Sequence, residues 1–149
     1  MAKAIKKSSR QYLVHALAVC WASPNSVIGH AMGWYGASSR AQFPDGITEY
    51  YDNPILNRLR ISAITFGNTI NHATGVDPET PWPRYDCACD VTSLRAHECA
   101  HVRQYRWWGP FFIPAYLIAE AWARTFGNGI NAFENAADDA CTEARKEDV

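Results

Sequence analysis

His97-Glu98-Cys99-Ala100-His101 is an H-E-x-x-H pentapeptide. Residues four apart on an α-helix lie almost above one another, so these two imidazoles can aim at one point. A zinc ion there would sit about 2.0–2.1 Å from each ring nitrogen. Glu98 is about 100° round the helix from His97 and falls beside the ion, without binding it. That offset suits a base that takes a proton from water held at the metal. The chain has five histidines (15, 30, 72, 97 and 101). Shuffling its composition would produce the pentapeptide with a probability on the order of one percent, so chance is a poor account of it. Ordinary histidines on the polar face of an amphipathic helix are the bland alternative.

Two histidines do not complete a catalytic zinc site, which usually takes three protein ligands and keeps a fourth position for solvent. The best downstream candidate is Glu134, in Asn131-Ala132-Phe133-Glu134-Asn135-Ala136-Ala137-Asp138-Asp139. That stretch reads as a helix running to about Arg145. Asp138 follows Glu134 by one turn on the same face. From there it can hold the free ring nitrogen of a ligating histidine and fix its tautomer. The competing reading is a capping box, Asn131 with Glu134 three residues later, in which the carboxylate serves only its own helix start. One carboxylate cannot do both.

An H-E-x-x-H helix followed by a helix with E-x-x-x-D resembles the gluzincin class of zinc metallopeptidases, and in size the small minigluzincins. His101-Val102-Arg103-Gln104-Tyr105-Arg106 with Gly109-Pro110 also resembles compact bacterial H-E-x-x-H proteins. The likeness covers roughly residues 60 to 145, and the pentapeptide is its specific part. It implies a zincin-like fold, Zn²⁺ held by His97, His101 and Glu134, Glu98 as general base, Asp138 behind a ligand, and a peptide or protein substrate. Phe133 stands where larger gluzincins carry an asparagine before this glutamate. The stretch from His101 to Glu134 is also long, filled by an apolar aromatic segment.

Peptide hydrolysis further needs a donor for the developing oxyanion. Tyr105, Arg103, Arg106, Tyr116 and His72 are candidates, with His72 and Tyr116 preferred. The alternative to a peptidase is a non-catalytic zinc-binding or membrane-associated scaffold; a metal-free interaction domain is a third reading. Cys87-Ala88-Cys89 is the rival metal signal, since two thiolates could join His97 or His101 in a closed structural site. Its C-x-C spacing is not that of a zinc knuckle, and it leaves Glu98 without a role.

At 149 residues the chain makes one domain with a single core. Fourteen Lys and Arg face fifteen Asp and Glu, and only Lys3, Lys6, Lys7 and Arg10 cluster, so no nucleic-acid partner is expected. Five cysteines (20, 87, 89, 99 and 141), an odd number without framework spacing, argue against a disulfide-stapled secreted fold.

The elements that must position the motif follow from pattern. Residues 8–22 form a helix candidate that Ser23-Pro24-Asn25 breaks, with a second short helix to Trp34 or Gly36, making residues 1–36 a helical hairpin. Residues 37–60 read as mostly irregular, with a possible strand at 47–51 and a turn at Asp52-Asn53-Pro54. Ile61–Phe66 and Thr69–Ala73 flank Gly67-Asn68 as a hairpin, and by the resemblance this is the edge that holds extended substrate. Residues 74–90 look like a long surface loop. Helices are predicted at 91–107, capped by Asp90 or Thr92, at about 112–126, and at 131–145. Leu94, Cys99 and Val102 form the buried stripe of the motif helix. The sum is α+β, mainly helical with a small antiparallel sheet, in which residues 60–145 hold the metal-binding core.

The basic N-terminus and the apolar stretch of about 12 residues after it mimic a signal peptide, but Ala22-Ser23-Pro24 is a poor cleavage signature and His15 interrupts the stretch. That stretch and the apolar run Pro110–Ala123 both fall short of the roughly 20 residues that span a bilayer. Flanking aromatics (Trp34, Tyr35, Trp107, Trp108) either fill a small core or allow peripheral contact with a membrane. The expected location is cytoplasmic or at a membrane surface.

Overall fold

The computed structural model describes residues 9–79, 81–82, 92–127 and 129–147, with the side chains of the last helix described as far as Asp139. Its elements are α1 (Ser9–Gly36), β1 (Ser39–Gln42), β2 (Thr48–Asn53), α2 (Pro54–Leu59), β3 (Ala63–Phe66), β4 (Thr69–Ala73), β5 (Pro81–Trp82), β6 (Thr92–Ser93), α3 (Leu94–Trp108), a 3₁₀ turn (Gly109–Phe111), α4 (Phe112–Phe126) and α5 (Ala132–Glu147). The class is α+β, and a small sheet lies between α1 on one face and α3 on the other.

The expected break at Pro24 does not occur, and α1 runs through it. Proline removes one helical donor and crowds the preceding turn. Here side chains serve carbonyls of that turn. Val19 O accepts from Ser23 Oγ (2.8 Å) and from Asn68 Nδ2 (3.0 Å), and Ala22 O accepts from Ser26 Oγ (3.3 Å). Tertiary packing then overrides the local signal. Ala22, Asn25, Ser26, Gly29 and Gly33 form a buried stripe of small residues. A Cβ at Gly33 would lie 2.3 Å from the Tyr50 ring, and one at Gly29 would lie 1.6 Å from Thr69 Oγ1. Only glycine lets the helix come this close to the sheet.

The sheet has the order β1-β2-β4-β3, and β2 and β4 are parallel, so it is mixed and not wholly antiparallel. The cause lies at Asp52-Asn53-Pro54, which starts a helix instead of making a simple turn. Asn53 Oδ1 caps it by accepting from the Ile55 amide (3.1 Å), and Pro54 fills a first-turn position where no donor is needed. Arg60, left-handed at φ 59°, ends α2. This short crossover lets β4 return beside β2 in the same direction. The β3–β4 hairpin closes at Gly67-Asn68 as expected, with Gly67 at φ 62°.

Strand alternation divides the buried residues of β4 between the two layers. Asn71 Nδ2 donates to Gly29 O of α1 (3.2 Å), whereas Ile70 packs on Val102 of α3, with Cys99 against the same cluster. Ser93, not Asp90 or Thr92, caps α3: its Oγ accepts from the Ala96 amide (3.2 Å). Asp90 lies outside the described residues, as do Cys87 and Cys89, so the rival thiolate site falls there too. Trp34, Tyr35, Trp107 and Trp108 do not fill the core and remain exposed. Among the described residues, no helix is long and apolar enough to cross a membrane.

Candidate metal centre

The pentapeptide lies in the middle of α3, with His97, Glu98 and His101 all buried. Helix α5 crosses against this turn, and Ala100 and Ala137 meet at the crossing with almost no surface left to solvent. Two alanines allow close approach, and Glu134, three positions before Ala137, and Asp138, directly after it, are thereby carried to the histidine pair.

Three atoms converge. His97 Nε2 and His101 Nε2 are 3.1 Å apart, and Glu134 Oε2 lies 3.2 Å from the first and 3.4 Å from the second. In a tetrahedron with bonds of about 2.0–2.1 Å, neighbouring ligands are separated by roughly 3.3–3.4 Å. The triangle therefore has the edge lengths of three corners of such a tetrahedron. His97, His101 and Glu134 could hold a metal ion. Glu98 is not in this group; its carboxylate accepts from Thr65 Oγ1 (2.6 Å) on β3. Glu134 does not spend its carboxylate on the capping box. Oε2 faces the imidazoles and Oε1 accepts from Tyr116 Oη (2.6 Å), while Asn131 Oδ1 caps the helix through the Phe133 amide (3.0 Å).

Each of the two imidazole rings is turned by a partner on its far side. His97 Nδ1 donates to Asp138 Oδ1 (2.9 Å) and His101 Nδ1 donates to Gln104 Oε1 (2.9 Å). In the neutral rings both Nε2 atoms then face the centre as lone-pair donors. Gln104 is itself fixed, since its amide donates to Phe133 O of α5 (2.8 Å). Replacing Asp138 or Gln104 by alanine should weaken metal binding by about 10–100-fold without abolishing it. Titration of a divalent ion against a competing chelator measures this.

The cluster is electrostatically tuned. Burial disfavours the His101 imidazolium, but the hydrogen bond to Glu134 and the charges of Glu98 and Glu134 outweigh it and raise its pKa to about 8. Burial alone would also raise Glu134, yet its hydrogen bonds to His101 and His97 pull it far below the usual carboxylate range. A metal must therefore displace a proton from His101 at neutral pH. Metal affinity should rise with pH and level off above about 8. Calorimetry in two buffers of different ionisation enthalpy should register the released proton, and an affinity that does not change with pH would contradict this.

A cleft of about 440 Å³ opens beside the triangle. Glu98 lies in it, the edge strand β3 forms one wall, and Phe112, Ile113 and Leu117 form the opposite, apolar wall. Of the five proposed oxyanion donors, only Tyr105 and Tyr116 line this cleft. Tyr116 Oη already donates its hydrogen bond to Glu134. Arg103 is exposed and outside the cleft, and Arg106 is tied to Asn68 Oδ1 (2.9 Å) and Asp45 O (2.8 Å).

His72 must be reassigned. It is fully buried on β4, its Nε2 lies 3.1 Å from Glu49 Oε2, and its ring stacks on Tyr51. Strand alternation places it between sheet and α3, away from the cleft lining. There it belongs to a cluster centred on Glu49, which also accepts from Arg95 Nε (3.0 Å) and Tyr51 Oη (2.9 Å). Burial raises the Glu49 pKa, but the hydrogen bonds from His72, Arg95 and Tyr51 win and lower it. Arg95, which also pairs with Glu79, anchors the first turn of α3 two residues before His97. The sequence reading missed Thr65, Gln104 and Arg95. Only Gln104 had an accessible signal, its place three residues after a ligating histidine on one helix.

No protein-family model, no curated protein and no solved structure matches the chain.

Proposed function

We propose that the chain is a zinc-dependent peptidase of the gluzincin kind. The observation that carries this reading is the triangle of His97, His101 and Glu134 with the separate Glu98 carboxylate beside it in a cleft. Two imidazole nitrogens and one carboxylate oxygen in that arrangement suit zinc with an open corner. When bound, zinc supplies a Lewis acid that acidifies water and polarises a carbonyl.

The chain's own residues supply the rest. Glu98, oriented by Thr65, takes the proton of the attacking water and delivers it to the leaving amine nitrogen. An extended substrate segment pairs with β3, the edge strand of the sheet, and rests its apolar side chains against Phe112 and Leu117. Tyr105, whose hydroxyl has no hydrogen-bond acceptor among the described residues, donates to the developing oxyanion. Tyr105→Phe should lower kcat by about 10²–10³ with metal content unchanged.

A quenched-fluorescence peptide library incubated with the zinc-loaded chain tests the reading. Cleavage that a chelator stops and added zinc restores is the expected result. Stoichiometric zinc with no peptide cleaved would instead favour a non-catalytic zinc-binding scaffold.

A further inference from the structure

One exposed stripe along α4 and the 3₁₀ turn before it is apolar. Phe111, Ile118, Trp122 and Phe126 recur on one helical stripe and are all exposed, Ile118 by 70 % and Phe126 by 73 %. A helix on the surface of a globular protein normally presents its polar side to water. Here Phe112 and Ala123 bury the inner side, and an apolar stripe is still left exposed. The only acidic residue of α4, Glu120, is held by Arg124 (2.7 Å) and by Asn131 (3.0 Å), so the face carries no free negative charge among the described residues.

This face continues onto α1. Trp21 meets Phe111 at a ring separation of 6.2 Å, and from there the N-terminal half of α1 exposes Leu17, Leu13 and Tyr12. Trp107, two positions before the 3₁₀ turn, is 83 % exposed. Patches of this extent on a soluble chain mark a surface that something covers.

Charge identifies the cover. The first 44 positions hold Lys3, Lys6, Lys7, Arg10 and Arg40 and no acidic residue, while all fifteen acids lie in the remainder of a chain whose net charge is −1. A cationic end leading into an apolar helix face rich in Trp, Tyr and Phe matches the boundary of an anionic bilayer: bases at the headgroups, aromatics just below, aliphatic side chains in the acyl region. A second copy would meet the basic end with this same face, where α1 has no acidic residue and the one acid of α4, Glu120, is already paired.

We propose that the outward side of α4 and the N-terminal half of α1 together form a docking surface for an anionic lipid bilayer. The described helices lie along the membrane surface. This goes beyond the peptidase reading and stands whether or not the cleft is catalytic.

The test is flotation of the full chain with vesicles of phosphatidylcholine alone and of phosphatidylcholine mixed with phosphatidylglycerol. The expected result is binding to the mixed vesicles, weakened by salt. Ile118→Asp with Trp122→Asp should reduce it at least roughly tenfold. Both sites are exposed, and circular dichroism checks that the variant keeps its helices. Quenching of tryptophan fluorescence by brominated lipid in the unsubstituted chain gives a readout that needs no variant. A chain left behind by mixed vesicles overturns the proposal, as does equal binding to neutral ones. A dimer in light scattering that the same substitutions dissociate, with no vesicle binding, would assign the face to self-association and overturn it too.

Discussion

Glu98→Gln should lower peptide turnover by about 10²–10⁴-fold while zinc content stays at the level of the unsubstituted chain. The amide has the shape of the carboxylate, and its oxygen can still accept from Thr65 Oγ1, now 2.6 Å from Glu98 Oε2. The buried side chain therefore keeps its partner, and packing against β3 is preserved. What disappears is the capacity to take up and return a proton. Measured together, kcat and bound zinc separate the two roles. A variant that cleaves normally would remove Glu98 from the mechanism, and one that loses zinc would make it a ligand.

Glu134→Ala should act on the metal itself. Zinc in a four-ligand site is bound by about 10–16 kcal/mol, roughly 3 kcal/mol per ligand, so deleting one corner should weaken binding by about 10²-fold or more. The substitution also leaves two imidazole nitrogens 3.1 Å apart with no anion between them, and frees Tyr116 Oη from its acceptor. Glu134→Gln separates these effects: it can keep the Tyr116 hydrogen bond and loses only the negative charge at the histidines. Zinc affinity should fall in both variants, and by more in alanine than in glutamine. If affinity falls for His97→Ala but not for either Glu134 variant, the pair binds metal with a different third ligand.

How much of this was legible in the sequence depended on whether its cause was local. The histidine pair, Glu98, and the Glu134–Asp138 turn follow from helical spacing, and the structure brings them to one place because Ala100 and Ala137 let α3 and α5 touch. The β3–β4 hairpin was equally local, fixed by Gly67-Asn68. The errors arose where distant groups decided. Pro24 should break a helix, but Asn68, 44 positions later in sequence, serves a carbonyl near it, and the glycine stripe presses the helix onto the sheet. Asn53-Pro54 has the composition of a turn and the geometry of a helix start, and that difference made β2 and β4 parallel. For His72, the residue type alone carries neither the face of the strand it occupies nor its enclosure by Glu49 and Tyr51.

The central claim is that one ion is shared by two imidazoles and a carboxylate, with the fourth corner left to solvent. X-ray absorption at the zinc edge of the loaded, full chain measures this directly. The account predicts a first shell of nitrogen and oxygen only, at about 2.0–2.1 Å, which loses scatterers in Glu134→Ala. A sulfur shell at about 2.3 Å would place the ion on cysteines, and a chain that takes up no zinc would leave the histidine pair without its proposed role.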